Sequence, residues 1–366
     1  MLAPVSTLIR WLGPWSRGTP SGSTREELWL GADRRLRAFV YRPRRPRAAY
    51  LISPGLHPRG PEDPRMERIA RILAEAGFIV LAPFVREHLA IRAASSAADD
   101  LMVAFDELER IATGLGLPAP AVFSASFGSN PAIRLCGDPR YARRVRGLYL
   151  FGGFADFTRV CRFAALGEWE TAGSVVRLPF DPTNPPGVFL NIVEYLGVSD
   201  VEQAALSLAW REMCVRTWNR DELKRVEALR PIAHELAHAR VPAALHELFL
   251  QGCGVAPGMR EVLLDALARA DRHRTFLDPR RDLANLIAPV VIAHGRSDAV
   301  VCFHEAAELR ALLPPGHPHR YFVTGMFAHG SARIPSPQAA ARELATLLGL
   351  VHAMAALPLG TMRSLD

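Results

Sequence analysis

Short apolar runs and longer amphipathic stretches alternate along most of this chain. Ala48 to Ser53, Phe78 to Ala82, Ala121 to Ser124 and Val145 to Phe151 read as strands. Pro64 to Ala76, Ser96 to Thr113 and a stretch from about Phe127 read as the helices between them. Such alternation predicts a parallel sheet with helices on both faces. Ahead of it, Glu27 to Leu30 and Leu36 to Tyr41 flank Gly31-Ala32-Asp33, which predicts an antiparallel hairpin. From about Phe154 to Arg281 the strand pattern stops. That stretch predicts helices, carries Trp169, Trp210 and Trp218, and is broken by Pro179, Pro182, Pro185 and Pro186. The alternation then resumes with Ala288 to His294 as strand, Phe303 to Leu313 as helix, Arg320 to Thr324 as strand and Ser336 to Ala356 as a closing helix.

Neither flanking piece has enough strands for a domain of its own, so the middle reads as an insertion into one sheet. The expected organisation is an N-terminal helix and linker over residues 1–24, a core over 25–154 and 282–366, and a helical cap over 155–281. A length of 366 residues, 49% hydrophobic and 22% charged, suits one large core with such an insertion. No internal repeat or low-complexity tract appears.

The formal charge is +7, but the basic residues are dispersed, and Lys224 is the only lysine. The dense run Arg42, Arg44, Arg45 and Arg47 is split by Pro43 and Pro46, which fits a solvated connection. With no aromatic interleaving, the charge does not point to nucleic acid. Five cysteines, Cys136, Cys161, Cys214, Cys253 and Cys302, are odd in number and widely spaced, which predicts a reduced, cytoplasmic protein. No stretch approaches the ~20 apolar residues of a membrane span. Val5, Leu8, Ile9 and Leu12 share one helical face, suited either to the protein's own core or to a membrane surface.

The chemistry centres on Ala121-Val-Phe-Ser124-Ala125-Ser126-Phe127-Gly128. A nucleophile at a sharp strand-to-helix turn needs small residues two before and two after it. Ser124 and Gly128 meet that need for Ser126. Ser124 has Val122 two before it, and Ser129 has Phe127 before it and Pro131 after it, so neither qualifies. A serine hydroxyl needs a histidine to take its proton and a carboxylate to orient that histidine, here in the chain order serine, acid, histidine. Asp298 follows the strand ending at His294, and His329 follows the strand ending at Thr324. Both loops open where Ser126 emerges, at the carboxyl ends of parallel strands. Asp298 also suits a turn or helix cap, and His329 a surface loop. Asp156 is the fallback acid, while His317 and His319 precede their strand and lie at the wrong end. An oxyanion needs backbone N–H donors. Phe127 supplies one candidate and Leu56, in Ser53-Pro-Gly55-Leu56-His57-Pro58, the other.

These residues make the chain similar to the α/β-hydrolase superfamily over about residues 25–154 and 282–352. Ser53-Pro-Gly-Leu56, Ser124-Ala-Ser126-Phe-Gly128, His294-Gly-Arg-Ser-Asp298 and Phe327-Ala-His329-Gly330 carry the resemblance. It implies an eight-stranded, mostly parallel sheet flanked by helices, with a helical cap inserted after the sixth strand. Dienelactone-hydrolase-like and peptidase-like branches both fit. Ser124 at the first small position and a long cap are departures that bear on the substrate more than on the fold.

The expected activity is that of a serine esterase acting through an acyl-Ser126 intermediate, on carboxylic esters or on lactones, thioesters or amides. It requires no cofactor and no metal. Its partner is a small acyl substrate, with no nucleic acid and no integral membrane association; a homo-oligomer is compatible with it. Two other readings differ in class. His234-Glu235-Leu236-Ala237-His238 matches the His-Glu-x-x-His zinc pattern. Pro242 follows closely, Arg240 replaces an apolar residue, and only Glu247 or Glu261 offers a third ligand, which favours an amphipathic cap helix. The other reading is a non-catalytic binding protein on the same fold.

Overall fold

Residues Thr24–Leu30 (β1) and Leu36–Arg42 (β2) pair antiparallel, with Leu30 opposite Leu36 at the turn. Ala48–Ser53 (β3), Phe78–Pro83 (β4), Ala121–Ala125 (β5) and Leu148–Phe151 (β6) follow. A small hairpin, Glu168–Thr171 (β7) with Ser174–Arg177 (β8), stands apart from the sheet. Val290–Gly295 (β9) and His319–Thr324 (β10) complete it. The order across the eight-stranded sheet is β1-β2-β4-β3-β5-β6-β9-β10. β2 runs antiparallel to β4, and every pair from β4 to β10 is parallel. This is the mostly parallel sheet that the alternation predicts. The coordinates are a computed structural model. They describe residues 2–362 apart from 14, 17, 33–34, 172, 271–274, 329–330 and 333–339.

The helices are Leu2–Leu12 (α1), Pro64–Glu75 (α2), Arg86–Leu89 (α3), Ala97–Gly114 (α4) and Ser129–Gly137 (α5). Between β6 and β9 lie Phe157–Leu166 (α6), Pro185–Leu190 (α7), Asp200–Thr217 (α8), Val226–Arg240 (α9), His246–Gly252 (α10), Met259–Ala270 (α11) and Arg280–Ala284 (α12). His304–Ala311 (α13) and Ala340–Ala356 (α14) follow. Phe327–Ala328 (β11) pairs with Ser331–Ala332 (β12) outside the main sheet.

β3, β4 and β9 are buried at every position, because helices cover both faces. Their side chains divide with period two. Leu51, Leu81, Val122 and Ile292 pack on one face with Phe105 of α4, Ile133 of α5 and Leu309 of α13. Tyr50, Val80, Phe123 and Val291 pack on the other with Leu8 and Leu12 of α1, Leu73 of α2 and Met354 of α14. The apolar face of α1 therefore lies on the core. A third cluster, around Trp210, Phe249 and Met213, holds the segment between β6 and β9 together.

Two expectations need correction. The middle segment is not wholly helical, since it contains β7 and β8. These strands have four residues each and expose Glu170, Thr171, Val175 and Val176, so they show no apolar alternation to detect. The sixth strand begins at Leu148 and not at Val145, because the register pairs Leu148 with Val122 on one side and Val290 on the other. The remaining expected elements are present, with ends moved by a few residues; of the closing helix, 336–339 lie outside the described residues.

Candidate active site

Ser126 sits where β5 turns into a short 3-10 segment, Ser126–Gly128, that leads into α5. Its φ is +52°, a left-handed value that costs a non-glycine residue about 1–3 kcal/mol. The surroundings enforce that turn. A β-carbon at Gly128 would stand 2.3 Å from the Ser53 carbonyl oxygen and 2.5 Å from that of Pro54. The Ser53 hydroxyl donates to the Gly128 carbonyl across 2.7 Å and draws the two segments together. On the neighbouring loop, a β-carbon at Gly55 would lie 3.3 Å from both the Ala125 carbonyl oxygen and Ser126 Cβ. The small-residue requirement read from the sequence is therefore a packing requirement between β3 and the elbow. Ser124 is buried and donates to the Tyr149 carbonyl at 3.4 Å, and Ser129 is buried at the start of α5.

Asp298 lies on the loop after β9 and is 6% exposed. Its Oδ1 accepts the backbone N–H of Val300 at 2.8 Å and of Val301 at 2.9 Å. Its Oδ2 is 3.5 Å from Nε2 of His294, which itself donates to the Val301 carbonyl at 3.0 Å. A β-carbon at Gly152 would stand 3.6 Å from that Oδ2 and 3.9 Å from the Ser126 nitrogen. Asp298 and Ser126 are thus near neighbours across Gly152, just past the end of β6. His329 follows β11 in the chain and lies outside the described residues. Asp156 caps α6, accepting the Arg159 N–H at 2.8 Å. His317 donates to the Ala288 carbonyl near the start of β9, at the opposite end of the sheet.

The loop carrying Leu56 is held by a residue that the sequence does not single out. His88 of α3 is 2% exposed; its Nδ1–H donates to the Pro54 carbonyl at 2.8 Å, and its own carbonyl accepts the His57 N–H at 3.1 Å. Burial pushes the His88 pKa down to about 4, so the ring is neutral near pH 7. A carbonyl can only accept, which assigns the proton to Nδ1. His88 thereby clamps Gly55 and Leu56 from both sides. The one clue in the sequence is a histidine set among Phe84, Val85 and Leu89.

His57 bridges the core and the segment between β6 and β9. Its Nε2 is 3.2 Å from Asp63 Oδ2 and 3.1 Å from Asn219 Nδ2, and its ring lies over Trp218. Burial is the main influence on its pKa, which falls below the usual histidine value despite Asp63.

Ser126 lines two cavities. One, of about 210 Å³, lies against Phe127, Val188, Trp218, Asn219 and Lys224. The other, of about 200 Å³, extends on the α1 and α14 side of the sheet. Leu56, His57 and Arg65 border both.

The His-Glu-x-x-His segment lies on α9 with His234, Glu235 and His238 all exposed. The Glu235 carboxylate accepts two hydrogen bonds from Arg216, at 2.9 Å each, which hold its pKa below the ordinary value. His238 meets His246 edge to face, and His246 donates to the Val241 carbonyl. Among the described residues, no three histidine, cysteine or acidic side chains come together in a metal-binding arrangement. Also among them, all five cysteines are buried and none is in a disulfide, and no helix is long and apolar enough to cross a membrane.

By sequence, the chain matches no protein-family model and no curated protein. Solved structures do match. An acylaminoacyl peptidase in complex with Z-Gly-Gly-Phe-chloromethyl ketone aligns at 11% identity and a TM-score of 0.51, over 92% of this chain and 42% of that one. The uncomplexed acylaminoacyl peptidase of Pyrococcus horikoshii aligns at 11% identity and a TM-score of 0.50, over the same shares. The chain spans about two fifths of the length of these peptidases.

Proposed function

We propose that this chain, which has the α/β-hydrolase fold, is a serine hydrolase that cleaves carboxylic esters through an acyl-Ser126 intermediate. The observation that carries the proposal is Ser126 itself: a strained, cavity-lining serine at the carboxyl end of a central strand, beside a carboxylate already held by two N–H groups. Strain of this kind persists only where the surroundings over-determine it, and Gly128 and Gly55 supply that constraint.

Ser126 Oγ attacks the acyl carbon as His329 takes its proton. The negative charge that forms on the carbonyl oxygen meets the N–H groups of Phe127 and Leu56, the latter on the loop clamped by His88. Collapse breaks the carbon–oxygen bond, and His329 returns the proton to the departing alcohol. Water then repeats the sequence on the acyl-enzyme, releasing the acid and restoring Ser126. Asp298, whose Oδ1 accepts from Val300 and Val301, serves as the acid that fixes the tautomer of His329 and balances its charge. On this reading residues 155–281 are the cap, and Trp218 from that segment lines the first cavity. Buried cysteines outside any disulfide favour a reducing, cytoplasmic setting.

Labelling by a fluorophosphonate probe tests this reading. Wild type should be labelled and Ser126→Ala should not. Absence of labelling in wild type, or equal labelling in the variant, overturns it.

A further inference from the structure

The two cavities that meet at Ser126 differ in chemistry. The first mixes apolar walls, Phe127, Val188 and Trp218, with the polar groups of Thr183, Asn219, Lys224 and Ser297 around the nucleophile. The second runs past Phe123, Phe151 and Phe327 to Leu12 of α1 and to Leu350 and Met354 of α14. Its charged neighbours among the described residues are engaged within the protein. Arg65 pairs with Asp63 at 3.0 Å, and Arg68 donates to the carbonyls of Trp11, Ser16 and Gly18. Both guanidinium groups are thus already engaged inside the protein. A peptide or sugar placed there would leave polar groups unpaired, whereas an alkyl chain would not.

We propose that this second cavity is an acyl-chain site, making a medium-chain fatty acyl ester the substrate class and the first cavity, of mixed polarity, the alcohol site. The inference rests on the serine-hydrolase reading. The assignment of the two arms follows from the order of events: the alcohol departs first, and water must then reach the acyl carbon. The arm that carries Thr183, Asn219, Lys224 and Ser297, once vacated by the alcohol, admits that water, while the more apolar arm retains the chain still bonded to Ser126. A cavity of about 150 Å³ accommodates a six-carbon ring. The present one, about 200 Å³, is matched by a chain of roughly six to eight carbons.

The test measures kcat/KM of the full chain on p-nitrophenyl esters from acetate to dodecanoate, and on acetate esters of alcohols of the same lengths. The proposal expects a rise of about fourfold per acyl methylene, levelling off at roughly six to eight carbons, with a much weaker dependence on alcohol length. Met354→Trp and Leu350→Trp, which fill the far end, should lower the octanoate-to-acetate ratio at least about tenfold. Labelling of Ser126 by a small fluorophosphonate reports whether each variant retains its site, and the wild-type profile needs no variant at all. Labelling and acetate hydrolysis with a flat acyl profile, or a dependence that follows the alcohol instead, overturns the acyl site and leaves the hydrolase reading standing. No labelling and no hydrolysis overturns both.

Discussion

His88 and Pro54 are joined by a 2.8 Å hydrogen bond from a buried ring Nδ1–H to a backbone carbonyl, 34 residues apart in the chain. Protonation would leave that N–H in place and even favour the bond, but it would put a charge on a ring that burial keeps from water. With a folded pKa of about 4 against an unfolded value near 6.5, the unfolded chain binds the proton more readily. The stabilisation tied to the neutral ring is therefore complete above about pH 6.5 and lost as pH falls toward 4, up to about 3 kcal/mol. Urea unfolding at pH 7 and pH 4.5 should show wild type losing more stability than His88→Gln over that interval. Equal losses would mean the ring is not the titrating group.

Gly128→Ala should destabilise the fold by about 1–3 kcal/mol and abolish probe labelling, since the new methyl meets two backbone carbonyl oxygens that cannot move independently. Gly114→Ala is the contrast. Its β-carbon would meet nothing within 4 Å at the end of α4, so thermal unfolding should register a gain of up to about 1 kcal/mol with labelling intact.

Asp298→Asn should reduce kcat by about four orders of magnitude, because the amide stabilises the wrong histidine tautomer. Asp156→Asn should hold kcat within a few-fold, because Asp156 acts as the cap of α6 and asparagine also caps well. Steady-state kinetics on one ester separates the two acids. A large loss in the Asp156 variant with little in the Asp298 variant would exchange their roles.

Chelator treatment should leave both labelling and melting temperature unchanged, and Glu235→Gln should leave hydrolysis unchanged, because Glu235 is engaged by Arg216 on the outer face of α9. Stoichiometric zinc that is lost together with activity would reverse this conclusion.

The parts legible in the sequence are those governed by neighbours within a few residues. β3, β4 and β9 announce themselves because a strand covered on both faces must be apolar throughout. Ser126 stands out because the strained turn restricts positions 124 and 128, two residues away on either side. Asp298 could be placed because the loop it occupies directly follows a strand. The same locality explains what was missed: β7 and β8 are too short and too exposed to impress a period on the chain.

Tertiary structure alone decided the rest. Chain order does not reveal that β4 lies between β2 and β3, because that depends on how the crossovers pack. The clamp of His88 on Pro54, the contact of His57 with Trp218, and the cavity wall shared by Leu12 and Met354 all join segments that leave no mark on one another's composition. An amino-acid pattern records the periodicity and sterics of its own segment. The shape of the space around Ser126 is set by surfaces that meet only once those segments have folded.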